Sequence, residues 1–424
     1  MDILLVGSGG REHALLTSLR KNPEVGTIYA LPGNGGMVQE ATLVPIGVKD
    51  LDAIVSFAKE KQVDFAVVAP DDPLVLGLVD LLEANGIPCF GPSKRAAIIE
   101  GSKVFAKDLM KRYKIPSARY EVFEDVSLAL EYAQSCAIPS VVKADGLALG
   151  KGVVVAMSRQ ELVIAIQAMM VDKCFGSSGN SIVIEEFLTG VEVSVLCFTD
   201  GKTLIPMVSS MDHKRAYDGN TGPNTGGMGT IAPNPYYTKE MEERCMKEIF
   251  LPTIAAMNAE GRTFKGCLYF GLMLTPFGPK VIEYNCRFGD PETQVVLPLL
   301  ETDLLTIMQS VQRETLGDIE VKFSPQACCC VVLASGGYPV SYETGKPIYI
   351  KEFAEDIQCF HAGTKWVDGM LVTSGGRVLN LVAKDDDLIQ AIEKAYRALD
   401  SVSFDGMQYR KDIGKNQYGL PFVC

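Results

Sequence analysis

Apolar positions follow two rhythms along this chain, and the change between them divides it. Over the first hundred residues, short unbroken apolar runs alternate with stretches of helical spacing. Residues 3–6, 27–30, 65–69 and 87–90 read as strands. A stretch ending at Leu19 and the segments 51–61 and 74–84 read as helices. A strand apolar along its whole length is covered on both faces, so the alternation predicts a parallel sheet flanked by helices. Ligands of such a sheet sit at the carboxyl ends of its strands.

A helix over 102–113 ends at Ile115-Pro116, and the rhythm then changes. Residues 140–143 and 152–156 read as strands joined by a glycine-rich turn, 146–152, so a hairpin is predicted. A helix follows over 160–170 and a strand over 181–186, with strand patterns continuing to Met207. Residues 218–229, rich in Gly, Asn, Pro and Thr, read as a loop, and 239–259 as one long helix. Strands 266–274 and 280–284 pair about Pro276-Phe277-Gly278. A third unit begins near Gln326 and mixes strands (328–334, 377–383) with a helix over 388–399.

Bulk numbers narrow the class. The 424 residues suffice for two to four domains; 47% are hydrophobic and 22% charged, a globular balance. The formal charge is −12. Without a basic cluster, this predicts no nucleic-acid partner. No apolar run reaches the roughly 18–20 residues that span a bilayer, and Met1 to Gly7 read as a strand rather than a leader, so the expected location is cytoplasmic, with no membrane partner. The 12 cysteines include no C-x-x-C pair. Cys328-Cys329-Cys330 lie on a strand whose side chains alternate in direction, so the three cannot converge on one ion. Buried, reduced thiols are expected.

Five segments carry candidate chemistry. Gly7-Ser8-Gly9-Gly10 follows the first strand as a dinucleotide fingerprint does, but Glu12 stands at the third glycine position and no acid closes the second strand, which argues against a nicotinamide cofactor. The helix N-terminus with Arg11 beside it still offers a phosphate seat; a plain strand–helix turn is the alternative. Asp145–Gly152 approaches a P-loop, but its glycine spacing is one short and Gly152 replaces the Ser or Thr. Between two strands, such a loop can cover a triphosphate, with Lys143 aimed at the phosphates; the alternative is a flexible hairpin with Lys143 in a surface ion pair. Residues 182–188 form an apolar strand turning acidic at Glu185-Glu186, where peptide groups can bond an adenine edge, and Glu192 can accept from ribose hydroxyls. In residues 281–287, Glu283, Asn285 and Arg287 share one strand face. A carboxylate beside an amide oxygen suits Mg²⁺, and Arg287 is placed to clamp a carboxylate or phosphoryl group; a half-exposed edge strand is the alternative. Asp212-His213-Lys214-Arg215 and 222–229 form the last group, in which His213 suggests acid–base chemistry without a second motif to support it.

Together, the Lys143 strand, glycine loop, Glu185-Glu186-Phe187-Leu188 and Glu283-x-Asn285 resemble the ATP-grasp fold. Asp212-His213-Lys214-Arg215, Pro223–Gly229 and Arg287-Phe288-Gly289-Asp290-Pro291-Glu292 are similar to the phosphoribosylamine–glycine ligase family, across essentially the whole chain. The resemblance implies a multidomain α/β architecture: a Rossmann-like parallel sheet (1–100), an ATP-grasp domain (101–325, lid subdomain about 118–187) and a small C-terminal α+β domain (326–424). It implies ATP and Mg²⁺ (or Mn²⁺) as cofactors, glycine and 5-phosphoribosylamine as substrates, and a standalone monomer or small homo-oligomer in purine biosynthesis. It assigns ATP to Lys103, Lys143, Glu185, Glu186, Phe187, Leu188, Glu192, Arg215 and Asn224, and metal to Glu283 and Asn285. Gly9, Gly10 and Arg11 would help seat the ribosylamine phosphate, and Asp212 and Arg287 would hold glycine; Asp290 is a further substrate-binding residue, and Arg287, Lys143 and Asp212 would be catalytic. The glycine loop 146–152 would be a lid. One departure stands out: Ala69-Pro70-Asp71-Asp72 replaces the family's Gly-Pro-Glu, which leaves Asp71 outside the assigned site.

Three rivals remain. Another ATP-grasp ligase or carboxylase is disfavoured by the Arg287–Glu292 motif, an inactive nucleotide-binding regulator by the intact Lys143, Glu283, Asn285 and Arg287, and an NAD-dependent oxidoreductase by the incomplete fingerprint.

Overall fold

A computed structural model describes residues 1–147 and 152–415. The fully apolar strands of the first hundred residues are buried at every position of Ile3–Gly7 and Phe65–Val68. They form a parallel sheet in the order Thr42–Leu43, Ile28–Pro32, Ile3–Gly7, Phe65–Val68, Cys89–Phe90. The two-residue edge strand Thr42–Leu43 is too short for any periodicity to announce. The helix expected over 74–84 is two helices, Asp71–Leu76 and Leu78–Ala84, separated by Gly77 at φ +98. A second unannounced helix, Lys94–Gly101, carries Glu100 toward the central region.

Two antiparallel sheets build the centre. One runs Tyr120–Phe123, Ile182–Glu186, Ser140–Ala144, Val153–Ala156, so the expected hairpin about the glycine turn is present. The turn itself falls mostly on residues 148–151, outside the described residues, and so does the lid expectation attached to it. The other sheet runs Leu204–Pro206, Val191–Thr199, Gly266–Thr275, Gly278–Asn285. Its last pair contains a bulge: Gly271 faces Glu283 but Leu272 faces Val281, leaving Ile282 as the extra residue. Strict alternation fails there, so Ile282 shares the half-buried side with Glu283 while Val281, Tyr284 and Cys286 go into the core.

Two further expectations are corrected. The loop expected over 218–229 holds a hairpin, Arg215–Tyr217 with Thr221–Asn224, and then the strand Gly229–Ala232; Gly219 and Asn220 take positive φ and close the turn without any apolar signal. The long helix is Lys239–Cys245 and Leu251–Ala259 joined by the π-helical Met246–Phe250.

A third sheet runs Met211–Asp212, Gly229–Ala232, Ala327–Ser335, Arg377–Asp385, Ile357–His361. Its first two strands come from before residue 325, so the C-terminal region is built directly onto the segment carrying Asp212. Cys328 and Cys330 enter one core cluster and Cys329 another, as strand alternation requires, and all three thiols are free and buried. Among the described residues, no helix is long and apolar enough to cross a membrane.

Phe270 lies fully buried on the strand that pairs with the Glu283 strand, its ring 4.4 Å from Phe250 and 5.6 Å from Tyr284. Phe270→Ala is expected to lower stability by about 3–5 kcal/mol in urea unfolding, the usual cost of emptying an aromatic core position; a loss under about 1 kcal/mol would show that this core does not hold the strand.

Candidate functional site

The site lies where the two central sheets meet, and buried charge organises it. Lys143, on Ser140–Ala144, is buried; its Nζ reaches Glu185 Oε1 at 3.0 Å and donates to Ile282 O at 2.9 Å. The surface ion pair considered for it is therefore replaced by a buried one. Glu185 has a second cation, Lys107 Nζ, at 3.0 Å from Oε2. Burial lowers the Lys107 ammonium to about 8, against the opposing pull of Glu185. The Glu185 side chain is thus committed to two lysines, and its backbone lies between two paired strands, opposite Tyr120 on one side and Val141 on the other. Glu186 pairs with Arg119 at 3.1 Å, and Phe187 and Leu188 follow, half-buried, at the end of the strand.

Across from Lys143 stand the metal candidates. Glu283 Oε1 is 3.8 Å from Lys214 Nζ, which also lies 3.5 Å from Glu192 Oε2. Desolvation works to raise the Glu283 carboxyl, but the cations of Lys214, Lys143, Lys103 and Arg287 outweigh it and hold it ionised. Lys103 Nζ donates to Gly146 O at 2.8 Å, at the start of the helix Lys103–Arg112. Asn285 Oδ1 accepts from Arg287 Nη2 at 3.2 Å, so the expected grouping of these three side chains is present. Arg287 is not an open clamp, however. Its Nη2 also bonds Glu100 Oε1 at 3.0 Å, its Nη1 bonds Phe288 O at 3.2 Å, and Asp71 Oδ2 stands 4.0 Å away; among the described residues, its buried Nε has no partner.

Asp212 lies between this cluster and the substrate turn. Its buried Oδ1 has no hydrogen-bond partner among the described residues. Burial and the neighbouring Glu292 push its carboxyl well above the usual range, with Lys214 and Arg377 opposing. It lines a small cavity with Glu192, Ser194, Lys214, Tyr269 and Ile282. The ribosylamine candidates also come together: Arg11 N donates to Asp290 Oδ2 at 3.4 Å. Yet Gly9 N is taken by Glu12 Oε2 and Arg11 Nε by Glu12 Oε1, both at 2.6 Å. In this arrangement carboxylates fill the helix N-terminus. Arg215 and Asn224 are direct partners across their hairpin, with Arg215 Nη1 on Gly222 O at 2.7 Å.

Sequence reasoning missed Lys107, Glu100, Lys214 and Arg377 as members of these clusters, and set Asp71 aside. Only Lys214 stood inside a quoted motif; the other three reach the site from elements whose patterns look ordinary. His213 is excluded from acid–base work. It is fully buried, its Nδ1 lies 3.1 Å from Gly229 O and its Nε2 accepts from Gly414 N at 3.0 Å.

A buried lysine–glutamate pair on one antiparallel sheet, reaching across to the Glu-x-Asn strand of a second, is the arrangement of an ATP-grasp protein. The chain matches the phosphoribosylglycinamide synthetase N domain over residues 1–100, its ATP-grasp (A) domain over 101–293 and its C domain over 328–416. It belongs to the phosphoribosylglycinamide synthetase family, whose members are ATP-dependent ligases of purine biosynthesis. It is 48% identical to a phosphoribosylamine–glycine ligase of Agrobacterium fabrum over 415 residues, and 47% identical to one of Vibrio cholerae over 419; each match covers 98% of both chains. A crystal structure of phosphoribosylamine–glycine ligase from Thermotoga maritima superposes with TM-score 0.86 at 34% identity, covering 98% of this chain and 100% of that one. Biotin carboxylase from Campylobacter jejuni shares the fold, with TM-score 0.75 at 15% identity over 96% of this chain and 92% of that one.

Burial lowers the His213 imidazole to about 3, helped by the Arg410 charge. Between that value and the ordinary ~6.5, the unfolded chain binds a proton that the folded chain refuses, so stability falls as pH drops through this window. Replacing His213 with Gln is expected to lower stability at pH 7 and to flatten the acid loss between pH 6.5 and 4 in thermal melts. An unchanged slope would contradict the buried, neutral assignment.

Proposed function

We propose that this chain joins glycine to 5-phosphoribosylamine at the expense of ATP, giving glycinamide ribonucleotide, ADP and phosphate. The observation that carries the reading is the convergence of cations on the Glu283 strand: Lys143 Nζ bonds Ile282 O at 2.9 Å, Lys214 Nζ lies 3.8 Å from Glu283 Oε1 and Arg287 Nη2 bonds Asn285 Oδ1 at 3.2 Å. Cations held by carbonyls and carboxylates in this way can exchange those partners for the oxygens of a polyphosphate.

A carboxylate is a poor electrophile because its oxygen is a poor leaving group. The proposed route has a glycine carboxylate oxygen attack the γ-phosphorus, breaking the bond to the β-bridging oxygen and releasing ADP. The ribosylamine nitrogen then attacks the carbonyl carbon of glycyl phosphate, phosphate leaves with the activated oxygen, and the nitrogen sheds a proton. No enzyme nucleophile is needed; positioning and charge neutralisation supply the rate. Lys143 and Lys103 bind phosphate oxygens, Glu192 takes the ribose, and Arg215 and Asn224 border the nucleotide. Asp212, with its unpartnered oxygen, suits the glycine ammonium, and Arg287 faces the carboxylate. Gly9, Gly10, Arg11 and Asp290 form the ribosylamine side, a role that requires Glu12 to yield the turn.

The donor set fits a divalent cation: Glu283 and Asn285 offer two hard oxygens, one of them held ionised. A bound Mg²⁺ or Mn²⁺ would supply charge neutralisation on the phosphates. The proposed setting is the cytoplasm, as a monomer or small homo-oligomer with divisions near residues 100 and 325.

The test mixes the full chain with ATP, Mg²⁺, glycine and freshly generated phosphoribosylamine. ADP release that requires both glycine and the amine is expected; release independent of either sinks the reading. Glu283→Gln is expected to raise the Mg²⁺ concentration for half-maximal rate by at least ~10-fold, as loss of one of two protein oxygen ligands implies. Full activity of that variant at limiting Mg²⁺ would remove Glu283 from the metal site.

A further inference from the structure

The loop between Asn224 and Gly229 passes directly beside Asp212, and within it Thr225 Oγ1 accepts from Gly227 N at 2.9 Å, which leaves the Gly226 amide and carbonyl to partners from elsewhere. Two of its residues are glycines, Gly226 and Gly227, and Gly227 has φ +113. A side chain on Gly227 would run into Pro291 and come 2.6 Å from Asp212 Oδ1. The backbone there is pressed between the substrate turn and the unpartnered carboxylate, and a small shift of it would move both.

What holds it comes from the third unit. Gly226 N donates to the Tyr338 hydroxyl at 3.1 Å, and Arg377 Nη1 donates to Gly226 O at 2.7 Å. The same Arg377 nitrogen donates to Asp290 O at 2.7 Å and lies 3.4 Å from Asp290 Oδ1. One residue is therefore gripped at its amide N–H and its carbonyl by residues over a hundred positions away. A single guanidinium nitrogen ties it to the Asp290 turn. The grip extends outward on the other side. Thr225 bonds Lys214 O through its backbone N at 2.7 Å and its Oγ1 at 2.8 Å, and Met228 N bonds His213 O at 2.9 Å. The segment Asp212–Lys214, with the carboxylate and the cation that reaches Glu192 and Glu283, is thereby indexed to Gly226.

We propose that Arg377 and Tyr338 are positioning residues that fix the glycine pocket by clamping Gly226 between the C-terminal sheet and the Asp290 turn. The inference rests on the ligation reading above. Neither residue touches a reacting atom; each acts through Asp212, Lys214 and Asp290. The arrangement also gives the C-terminal unit a task in catalysis. It closes the glycine side of the site through Arg377 and Tyr338.

The test uses the full chain with Arg377→Met, Arg377→Lys and Tyr338→Phe. Steady-state kinetics is run against ATP, glycine and phosphoribosylamine separately, with hydrogen exchange of the Gly226–Met228 amides. Arg377→Met is expected to lower kcat/KM for glycine on the order of the ~10²-fold that a ~1 Å misplacement costs, with KM for ATP changed by less than about threefold. Arg377→Lys recovers part of the loss, because it keeps the charge and one donor. Exchange at Gly226 rises in both Arg377→Met and Tyr338→Phe. The inference is overturned if Arg377→Met keeps kcat/KM for glycine within twofold of the wild type. It is also overturned if ATP and glycine suffer equally with no recovery in the lysine variant. Should Arg377→Met fail to fold, Tyr338→Phe decides: unchanged exchange at Gly226 with unchanged glycine kinetics overturns the clamp. If the wild-type chain shows no ligation, the function reading has failed, and exchange at Gly226 still decides the clamp separately.

Discussion

A buried carboxylate between two buried lysines is the constraint on which the rest of the structure depends. Glu185 holds Lys107 and Lys143 at 3.0 Å each, and Lys143 reaches on to Ile282 O, so the sheet containing Ser140–Ala144 is joined to the Glu283 strand through one ammonium group. Taking three charges out of water costs several kcal/mol per ion unless they are paired and hydrogen-bonded. Such a triad is therefore weak support for stability and better understood as a device for place: it leaves one net positive charge where a phosphate is expected. The bulge at Ile282 belongs to the same device, because it turns that residue out of the strict alternation on the strand carrying Glu283.

The same logic recurs around Arg287. Glu100, Asp71 and Asn285 surround its guanidinium, and Phe288 O accepts from both Arg287 Nη1 and Arg11 Nη1, at 3.2 and 3.1 Å. That carbonyl links the residue proposed to face the glycine carboxylate to the one proposed for the ribosylamine side. Every cation near the proposed reaction centre has a named anion or carbonyl, so incoming phosphate or carboxylate exchanges partners rather than finding bare charge. Pre-orientation of this kind is where catalysis without an enzyme nucleophile draws its rate.

Much of this was legible from residues alone. The parallel sheet followed from strands apolar at every position, and the Glu283–Asn285–Arg287 face from a two-residue period. The failures have physical causes. Gly77 breaks a helix whose apolar spacing continues across it, and the 218–229 hairpin is closed by positive-φ residues that carry no pattern. Lys107, Glu100 and Arg377 are single charges on unremarkable helices and a strand; only tertiary folding brings them to the site. The Gly7–Gly10 turn shows the converse. Its glycines suggested a phosphate seat, whereas Glu12 occupies its amide and Gly10 lies close against Asn380 and Gln294.

The central claim is that ATP activates the carboxylate of glycine, so the fate of a carboxylate oxygen is the most direct measurement. Glycine labelled with ¹⁸O at both carboxylate oxygens is supplied with ATP, Mg²⁺ and phosphoribosylamine, and the released phosphate is analysed by mass spectrometry or ³¹P NMR. The account predicts one ¹⁸O in each phosphate formed during ligation, with the other retained in the amide product. Phosphate free of label, alongside normal product formation, would contradict it.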